Sequence, residues 1–556
     1  MTSKHTAQAE QAKQVLPKRT LTDEQQAICG VHLKPGQVML IEAFAGAAKT
    51  STLEEYASAH KELSFLYMAF NASAAEDARQ RFPQSVTCKT QHALAFADFG
   101  RLYKAKLENL RPKTIMRPMG FDFSSQAQIA IETINNFLHS PDIAIESRHL
   151  PGFIHGNPDV KAVERSRILT AVNKLWARMC DPQDQEVPMP HDGYLKLWQL
   201  EIAKTGRLPS VFNRFDVLFL DEAQDTNPTM EAVIRAAVKA GRHRIILVGD
   251  SRQNIYGFRG AVNLMERMGK DIATGKIDGL TKSLTCSFRY PQHIADVATE
   301  ILNADISSGE RPVKVRGMRP KTDRHCLSEA VISRSNGGLI GAAIDYLQRR
   351  PGAKIHFVTT SEKTNWDPTQ MYRFDALMGV WCQKYGRPVK DPYIRSFANY
   401  AEIVSFSKGD KNGQGADREL EAYVRLVESY GPELPRHLEN ITRHCGSPEG
   451  ARCFGTAHRS KGLEWDRVML TEDFEKSCNL LALKNPKANN RPSREELNLL
   501  YVAVTRPRKD LVPHNDLTVF MAERQEEQEE RNELSETSVT EALEGECVAM
   551  GGGIKR

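Results

Sequence analysis

Lys49 and Thr50 stand near the end of a stretch, Glu42 to Ser51 (EAFAGAAKTS), that follows the apolar run Val38-Met39-Leu40-Ile41. A lysine beside a hydroxyl, placed after a strand-like run and before a helix, suits the binding of a nucleotide's phosphates. Backbone N–H groups of such a loop point at the phosphates, the lysine reaches the β and γ oxygens, and the hydroxyl binds Mg²⁺. Ala45, Gly46, Ala47, Ala48, Lys49, Thr50 and Ser51 are therefore candidate ATP contacts. The usual spacing, GxxxxGK[ST], asks for glycine where this chain has Ala43 and Ala48. A plain strand-turn-helix is the competing reading of the segment taken alone.

Two further apolar runs end in polar tips. Phe215 to Leu220 delivers Asp221-Glu222-Ala223-Gln224-Asp225, and Arg244 to Val248 leads into Gly249-Asp250-Ser251-Arg252-Gln253. Nearly continuous apolar runs are what parallel strands covered on both faces require. The carboxyl ends of such strands are where α/β sheets place their chemistry. Asp221 is the candidate Mg²⁺ ligand, and Glu222 the group to orient or deprotonate an attacking water. The Gln253 carboxamide is the candidate sensor of the γ-phosphate.

Taken together, DEAQD at 221–225, GDSRQNIYGFRGA at 249–261, SFR at 287–289, TAHRSKGLEWD at 456–466 and EELNLLYVAVTR at 495–506 resemble motifs II to VI of the UvrD/Rep group of superfamily 1 helicases. LTDEQQ at 21–26 resembles that group's adenine-reading Q motif. FLYMAFNASAAEDARQRF at 65–82 and KTQHALAF at 89–96 bring the likeness nearest to the helicase core of the F-box DNA helicases and their prokaryotic relatives, with no F-box segment expected ahead of it. The resemblance runs over roughly residues 19 to 512.

The resemblance implies an α/β fold of two RecA-like P-loop NTPase domains with helical insertions, using ATP and Mg²⁺. It implies that Gln25 reads the adenine edge, which a carboxamide's paired donor and acceptor suit, and that Phe288 stacks on the base. Arg289 and Arg506 would reach the γ-phosphate as arginine fingers, Glu464 would contact the ribose, and Gly462 would offer a backbone donor. By the same likeness Phe70, Asn71, Thr90, His92, Tyr256, Phe258, Arg259, Thr456 and His458 touch the DNA strand or relay its presence. Stacking on Phe258 would hold a base of any identity at roughly 1–3 kcal/mol. Ala72 replaces a basic residue usual in the group, which removes one expected phosphate contact.

Spacing divides the chain. The resemblance places a tail at 1–18, a first RecA-like domain at 19–100 and 211–278, and a helical insertion at 101–210. A second RecA-like domain follows at 279–363 and 451–515, with a reduced helical insertion at 364–450 and an acidic, mostly disordered tail at 516–556. The blocks Lys104–Lys113 and Lys161–Arg178 read either as DNA-facing or as solvated helix faces. A chain of 556 residues is too long for one core. Its net charge of +5 conceals an asymmetry, because residues 521–546 carry ten Glu against two Arg and leave +13 on the remainder. A basic body suits a polyanion, and the acidic end reads as solvated tail or docking peptide.

The ten cysteines form no CxxC pair and no zinc spacing, so free thiols in a reducing compartment are expected. The first eighteen residues lack an apolar core of the signal-peptide kind, and no apolar run is long enough to span a bilayer. The expectation is an intracellular protein of the prokaryotic cytosol or nucleoid, with no membrane partner. It is expected to be a 3′–5′ single-stranded DNA translocase or helicase of DNA repair or recombination, working on single strands or single/double-strand junctions. The shortened second insertion makes translocation the firmer expectation than unwinding. A different class stays open: a DNA-binding or protein-displacing scaffold whose ATPase is impaired by Ala48.

Overall fold

Six strands, β1 (Val38–Ala43), β2 (Phe65–Ala69), β3 (Val86–Thr90), β4 (Val217–Leu220), β5 (Arg244–Gly249) and β6 (Gly279–Leu284), form one sheet in the order β3-β2-β4-β5-β1-β6. Every pairing in it is parallel. The computed structural model describes residues 20–155, 160–255, 263–305, 312–320, 326–359, 368–408, 417–485, 488 and 490–530. Both expected tails, apart from 516–530, lie outside these residues, as do Tyr256, Phe258 and Arg259.

The chain divides into two compact units. Met1–Ala43, Ala48–Gly249 and Val262–Leu284 make the first; Phe44–Ala47, Asp250–Ala261 and Thr285–Arg556 make the second. In the first, β4 (VLFL) is buried along its whole length, as a central strand covered by helices on both faces must be. Its register sets Leu218 and Leu220 beside Ile245 and Leu247 of β5, and β5 in turn lies against β1. The polar tips that follow β1, β4 and β5 thus leave neighbouring strands at the same end of the sheet. The described residues between β3 and β4 are mainly helical, with the longer helices at Ser124–Leu138, Ala162–Cys180 and His191–Thr205. Their apolar faces join the sheet's core through Ile134, Leu175 and Trp198.

The second unit contains a short parallel pair, β7 (Cys286–Ser287) with β8 (Arg316–Gly317), and a sheet of β9 (Glu329–Ser333), β10 (Ile355–Phe357), β11 (Arg452–Thr456), β12 (Trp465–Leu470) and β13 (Pro507–Val512). Its order is β10-β11-β9-β12-β13, again all parallel. The described residues between β10 and β11 are helical, the longer helices being Phe374–Lys384, Arg418–Tyr430 and Leu434–His444.

Three expectations are corrected. The segment from Gly279 does not open the second unit: it is β6, the edge strand that pairs Val38 with Gly279 and Ala43 with Leu284 in the first sheet. Its half-polar sequence, GLTKSL, suits an edge. The acidic end does not lose structure at 516, because residues 515–530 are helical. Leu517, Phe520 and Met521, spaced three and four apart, pack that helix onto the second unit's core. The basic blocks of the first insertion are partly spent inside it. Lys106 donates to the carbonyls of Arg178 and Asp181 at 3.0 and 2.9 Å, and Arg178 pairs with Asp184 and Glu186.

Candidate active site

In the first unit, β1 and the helix Lys49–Ala59 bring Lys49 and Thr50 to the tip of β4. The Lys49 ammonium lies 3.4 Å from Glu222 Oε1, and the Thr50 hydroxyl donates to Asp221 Oδ2 at 3.0 Å. The same Oδ2 accepts the Tyr67 hydroxyl at 2.5 Å, while Oδ1 accepts the Glu222 backbone N–H at 2.9 Å. Burial first, and then the charge of Glu222, push the Asp221 carboxyl above its ordinary range. Two carboxylates and one ammonium at a buried strand tip gain from a further cation. A hydroxyl and a carboxylate on one locus are the oxygen donors that Mg²⁺ prefers, so Thr50 and Asp221 fit the ion.

Tyr67 was not singled out in the sequence. It reads as one more apolar residue of the run FLYMA, and only the pairing of β2 with β4, Tyr67 opposite Phe219, sets its hydroxyl toward Asp221.

The loop itself is unusual in its backbone. Among the described residues only Ala48, Glu222 and Arg373 are non-glycine with positive φ, and the first two belong to this locus. Ala48 takes φ 56° and ψ 41°, the left-handed conformation that a Cβ disfavours by roughly 1–2 kcal/mol. It offers no side chain to cap the helix it opens, so no capping group there competes with a phosphate for the first N–H groups. Gln25 is buried and engaged at both ends. Its Nε2 donates to the Thr52 hydroxyl at 3.0 Å, and its Oε1 accepts the Thr22 N–H at 3.1 Å in a capping box. The Ser51 hydroxyl accepts from Arg81 at 2.8 Å.

The second unit gathers the remaining nucleotide candidates. Phe288 is 43% exposed, and its N–H donates to the Gly46 carbonyl at 2.9 Å. Gly46 has φ 77°, and a Cβ there would come within 2.6 Å of Ser287 Oγ and Arg289 Cβ, so glycine is required on two counts. Ala45 is held on both sides: its carbonyl accepts Ser287 Oγ at 2.8 Å and its N–H donates to Tyr501 Oη at 3.0 Å. Ala47 closes the turn by donating to the Phe44 carbonyl at 3.0 Å.

Arg289 pairs with Glu464 at 2.7 Å and donates to the Thr505 carbonyl at 3.0 Å. Arg506 is 1% exposed, and it donates to the carbonyls of Val502 at 2.8 Å and Leu463 at 3.4 Å. Burial, followed by repulsion from Arg289, pulls its guanidinium down to about 9. Gly462 takes φ 84°. Gln253 donates from Nε2 to Asp250 Oδ2 at 2.8 Å, and its carbonyl accepts Lys461 Nζ at 2.7 Å. Asp250 and Tyr501 were not singled out in the sequence, the second because it lies in the otherwise apolar run LLYVAV.

The strand-contact candidates fall in both units. In the first, Phe70 is an exposed ring at the end of β2. Asn71 caps the following helix by accepting Ala74 N–H at 2.8 Å, and Thr90 caps the next by accepting Ala93 N–H at 3.1 Å. His92 Nε2 meets Asp192 Oδ1 at 3.0 Å, and His139 Nε2 meets the other oxygen at 3.2 Å. Burial opposes ionisation of Asp192, yet the hydrogen bonds from His139 and His92 hold its carboxyl well below the usual range. In the second unit, Thr456 is buried at the end of β11 and His458 is half-buried in the short helix Ala457–Ser460 that follows. A cavity of about 910 Å³ in that unit lies elsewhere, between helices Asn336–Arg349 and Arg418–Tyr430, and none of the candidates lines it.

Residues 195–272 match the UvrD/REP helicase N-terminal domain, and residues 454–513 match the UvrD-like helicase C-terminal domain. The first match contains Asp221, Glu222 and Gln253; the second contains Gly462, Glu464 and Arg506. The chain is similar to the F-box DNA helicase 1 of Gallus gallus, 32% identical over 543 residues that cover 90% of this chain and 50% of the relative. It is similar to the F-box DNA helicase protein 1 of Schizosaccharomyces pombe, 29% identical over 544 residues, 90% of this chain and 58% of the relative. A shorter match joins it to the ATP-dependent DNA helicase PcrA of Leuconostoc citreum, 32% identical over 91 residues, 16% of this chain and 12% of the relative. The chain thus spans 50% and 58% of the length of the two F-box relatives.

Proposed function

We propose, from the premise that the chain belongs to the UvrD/REP-type helicases, that it is an ATP- and Mg²⁺-dependent motor on single-stranded DNA, moving 3′ to 5′. The observation that carries this reading is the pairing at the tip of β4, with Lys49 3.4 Å from Glu222 and Thr50 3.0 Å from Asp221. Lysine, hydroxyl and two carboxylates are the groups that phosphoryl transfer to water needs.

On this reading Lys49 is held by Glu222 until phosphate oxygens claim it. The freed Glu222 then orients the attacking water and takes its proton. Thr50 and Asp221 would hold Mg²⁺, which would supply charge neutralisation for the phosphates. Phe288 is assigned to the base, Glu464 to the ribose, and Arg289 and Arg506 to the γ-phosphate. Gln25 exchanges its contact with Thr52 for the adenine edge. Phe70, Asn71, Thr90, His92, Thr456 and His458, with Tyr256, Phe258 and Arg259, hold the strand. The setting proposed is DNA repair or recombination in a prokaryotic cytosol or nucleoid, on single strands or junctions.

The strained Ala48 favours a second reading, a scaffold that grips DNA or displaces proteins with an impaired ATPase. Streptavidin displacement from end-biotinylated oligonucleotides separates the two. The motor clears a 5′-end block in an ATP-dependent reaction and leaves a 3′-end block in place. Displacement that needs no ATP supports the scaffold, and clearance of the 3′ end alone reverses the direction.

A further inference from the structure

Helix Arg494–Val504 is buried along Leu497 to Val504, and Tyr501 places a hydroxyl in that apolar row with no exposure to water. A buried hydroxyl must find partners within the protein. This one finds two. It accepts the Ala45 N–H at 3.0 Å and donates to Asp250 Oδ2 at 3.0 Å. The same Asp250 oxygen accepts Gln253 Nε2 at 2.8 Å, and Asp250 Oδ1 accepts the Arg252 N–H at 3.1 Å. One unbroken chain of hydrogen bonds therefore runs from the first half of the phosphate loop, through Tyr501 and Asp250, to the Gln253 carboxamide. All of it belongs to the second unit.

We infer that Tyr501 is a positioning residue that transmits the state of the phosphate loop to Gln253. The inference rests on the proposed function for the role of Gln253 but on geometry alone for the coupling. Ala45 has little freedom to move without disturbing the hydroxyl, because its carbonyl is fixed on Ser287 Oγ at 2.8 Å and the next carbonyl accepts the Phe288 N–H at 2.9 Å. Gln253 is pinned at its other end by Lys461 on its carbonyl at 2.7 Å, which leaves the carboxamide as its movable part. Hydrogen bonds in series within a low-dielectric interior polarise one another, so a change at one end is felt at the other. Phenylalanine would fill the same volume yet neither accept nor donate. It would cut the chain at its middle while leaving the packing of the helix in place.

The test uses the full chain and Tyr501→Phe. With saturating oligo-dT and Mg²⁺, kcat for ATP hydrolysis is expected to fall about tenfold while KM for ATP stays within about twofold, the split expected when a group acts on the transition state and not on ground-state binding. Asp250→Asn should give a similar loss, and the double variant no further loss, because both break one chain. Hydrogen exchange of peptides covering residues 44–47 and 250–255, read with and without Mg-ADP, reports the coupling independently of turnover. Nucleotide should protect both segments in the wild type and only 44–47 in Tyr501→Phe. Equal protection of both segments in the two proteins overturns the inference, as does a wild-type kcat in Tyr501→Phe. If the wild type shows the two-segment protection, the variant loses it, and neither hydrolyses ATP with DNA, the proposed function fails and the coupling stands.

Discussion

Lys49 and Glu222 meet side chain to side chain at 3.4 Å, with the carboxylate still 36% exposed, whereas Arg506 in the second unit is 1% exposed and directs its guanidinium at backbone carbonyls. Asp221 belongs to the first pattern, since burial and the Glu222 charge push its carboxyl up toward neutrality. Asp250 belongs to the second, accepting Tyr501, Gln253 and a backbone N–H in a closed network. Groups of the first kind bring two carboxylates and an ammonium to one strand tip, a set of charges that gains from an arriving cation or phosphate. Groups of the second kind are tied into buried hydrogen bonds that hold geometry, and the γ-phosphate role proposed for Arg506 requires it to leave the carbonyls of Val502 and Leu463.

That contrast is broken most sharply at Glu222. Glu222→Gln should lower DNA-stimulated kcat by about 10²–10⁴ while nucleotide still binds, because the base is lost and the phosphate contacts remain. It should not lower the melting temperature, since it removes a charge beside Asp221. Next in size is Tyr67→Phe, which deletes the 2.5 Å hydrogen bond to Asp221. Loss of a partner that orients a metal ligand typically costs 10- to 100-fold, here expected as a higher Mg²⁺ requirement in titrations of ATPase activity. An unchanged Mg²⁺ titration would remove Tyr67 from the site.

Arg506→Lys tests the other region through stability. An ammonium cannot reproduce the guanidinium fork, so the Val502 and Leu463 carbonyls lose donors, at about 1–3 kcal/mol in urea unfolding. Stability equal to wild type would mean that the buried arginine supports nothing. Ala48→Gly relieves the left-handed strain of roughly 1–2 kcal/mol, so nucleotide affinity or turnover should rise by about tenfold at most. A tighter loop with unchanged turnover is still expected on the motor reading; activity that appears only with glycine favours the scaffold.

The smallest effect concerns pH. Asp192 has a folded carboxyl below its unfolded value of about 3.9. Its contribution is therefore fully present above the unfolded value and lost as pH falls below it. The pair with His92 is part-exposed, so Asp192→Asn should cost below about 1 kcal/mol at pH 7. That cost should shrink at pH 3.5 in chemical denaturation. A cost that grows on acidification contradicts the assignment.

Strand tips were legible in the sequence because burial on both faces writes a parallel strand as an apolar run, and polar residues can follow it only where it emerges. Lys49, Thr50, Asp221 and Glu222 were found that way. The conformation at Ala48 was foreseeable too, since the missing glycine marked where a positive φ would fall. Tyr67 and Tyr501 were not legible, because each sits inside an apolar run and its hydroxyl acquires meaning only from a neighbour far along the chain. Asp250 was quoted within its motif but given no role for the same reason. The placement of Gly279–Leu284 in the first sheet escaped as well, since lateral strand order leaves no mark in local periodicity. The helix at 515–530 was masked by the acidic composition around its three apolar anchors.

Hydrolysis of ATP at the β4 tip in response to DNA is decided by steady-state assays of the full chain and Glu222→Gln with Mg²⁺, with and without a single-stranded oligonucleotide. Hydrolysis should rise on adding the oligonucleotide in the wild type and be abolished in Glu222→Gln, with nucleotide binding retained in both. Hydrolysis of equal rate in the two proteins, or none in the wild type with DNA and Mg²⁺ present, would contradict it.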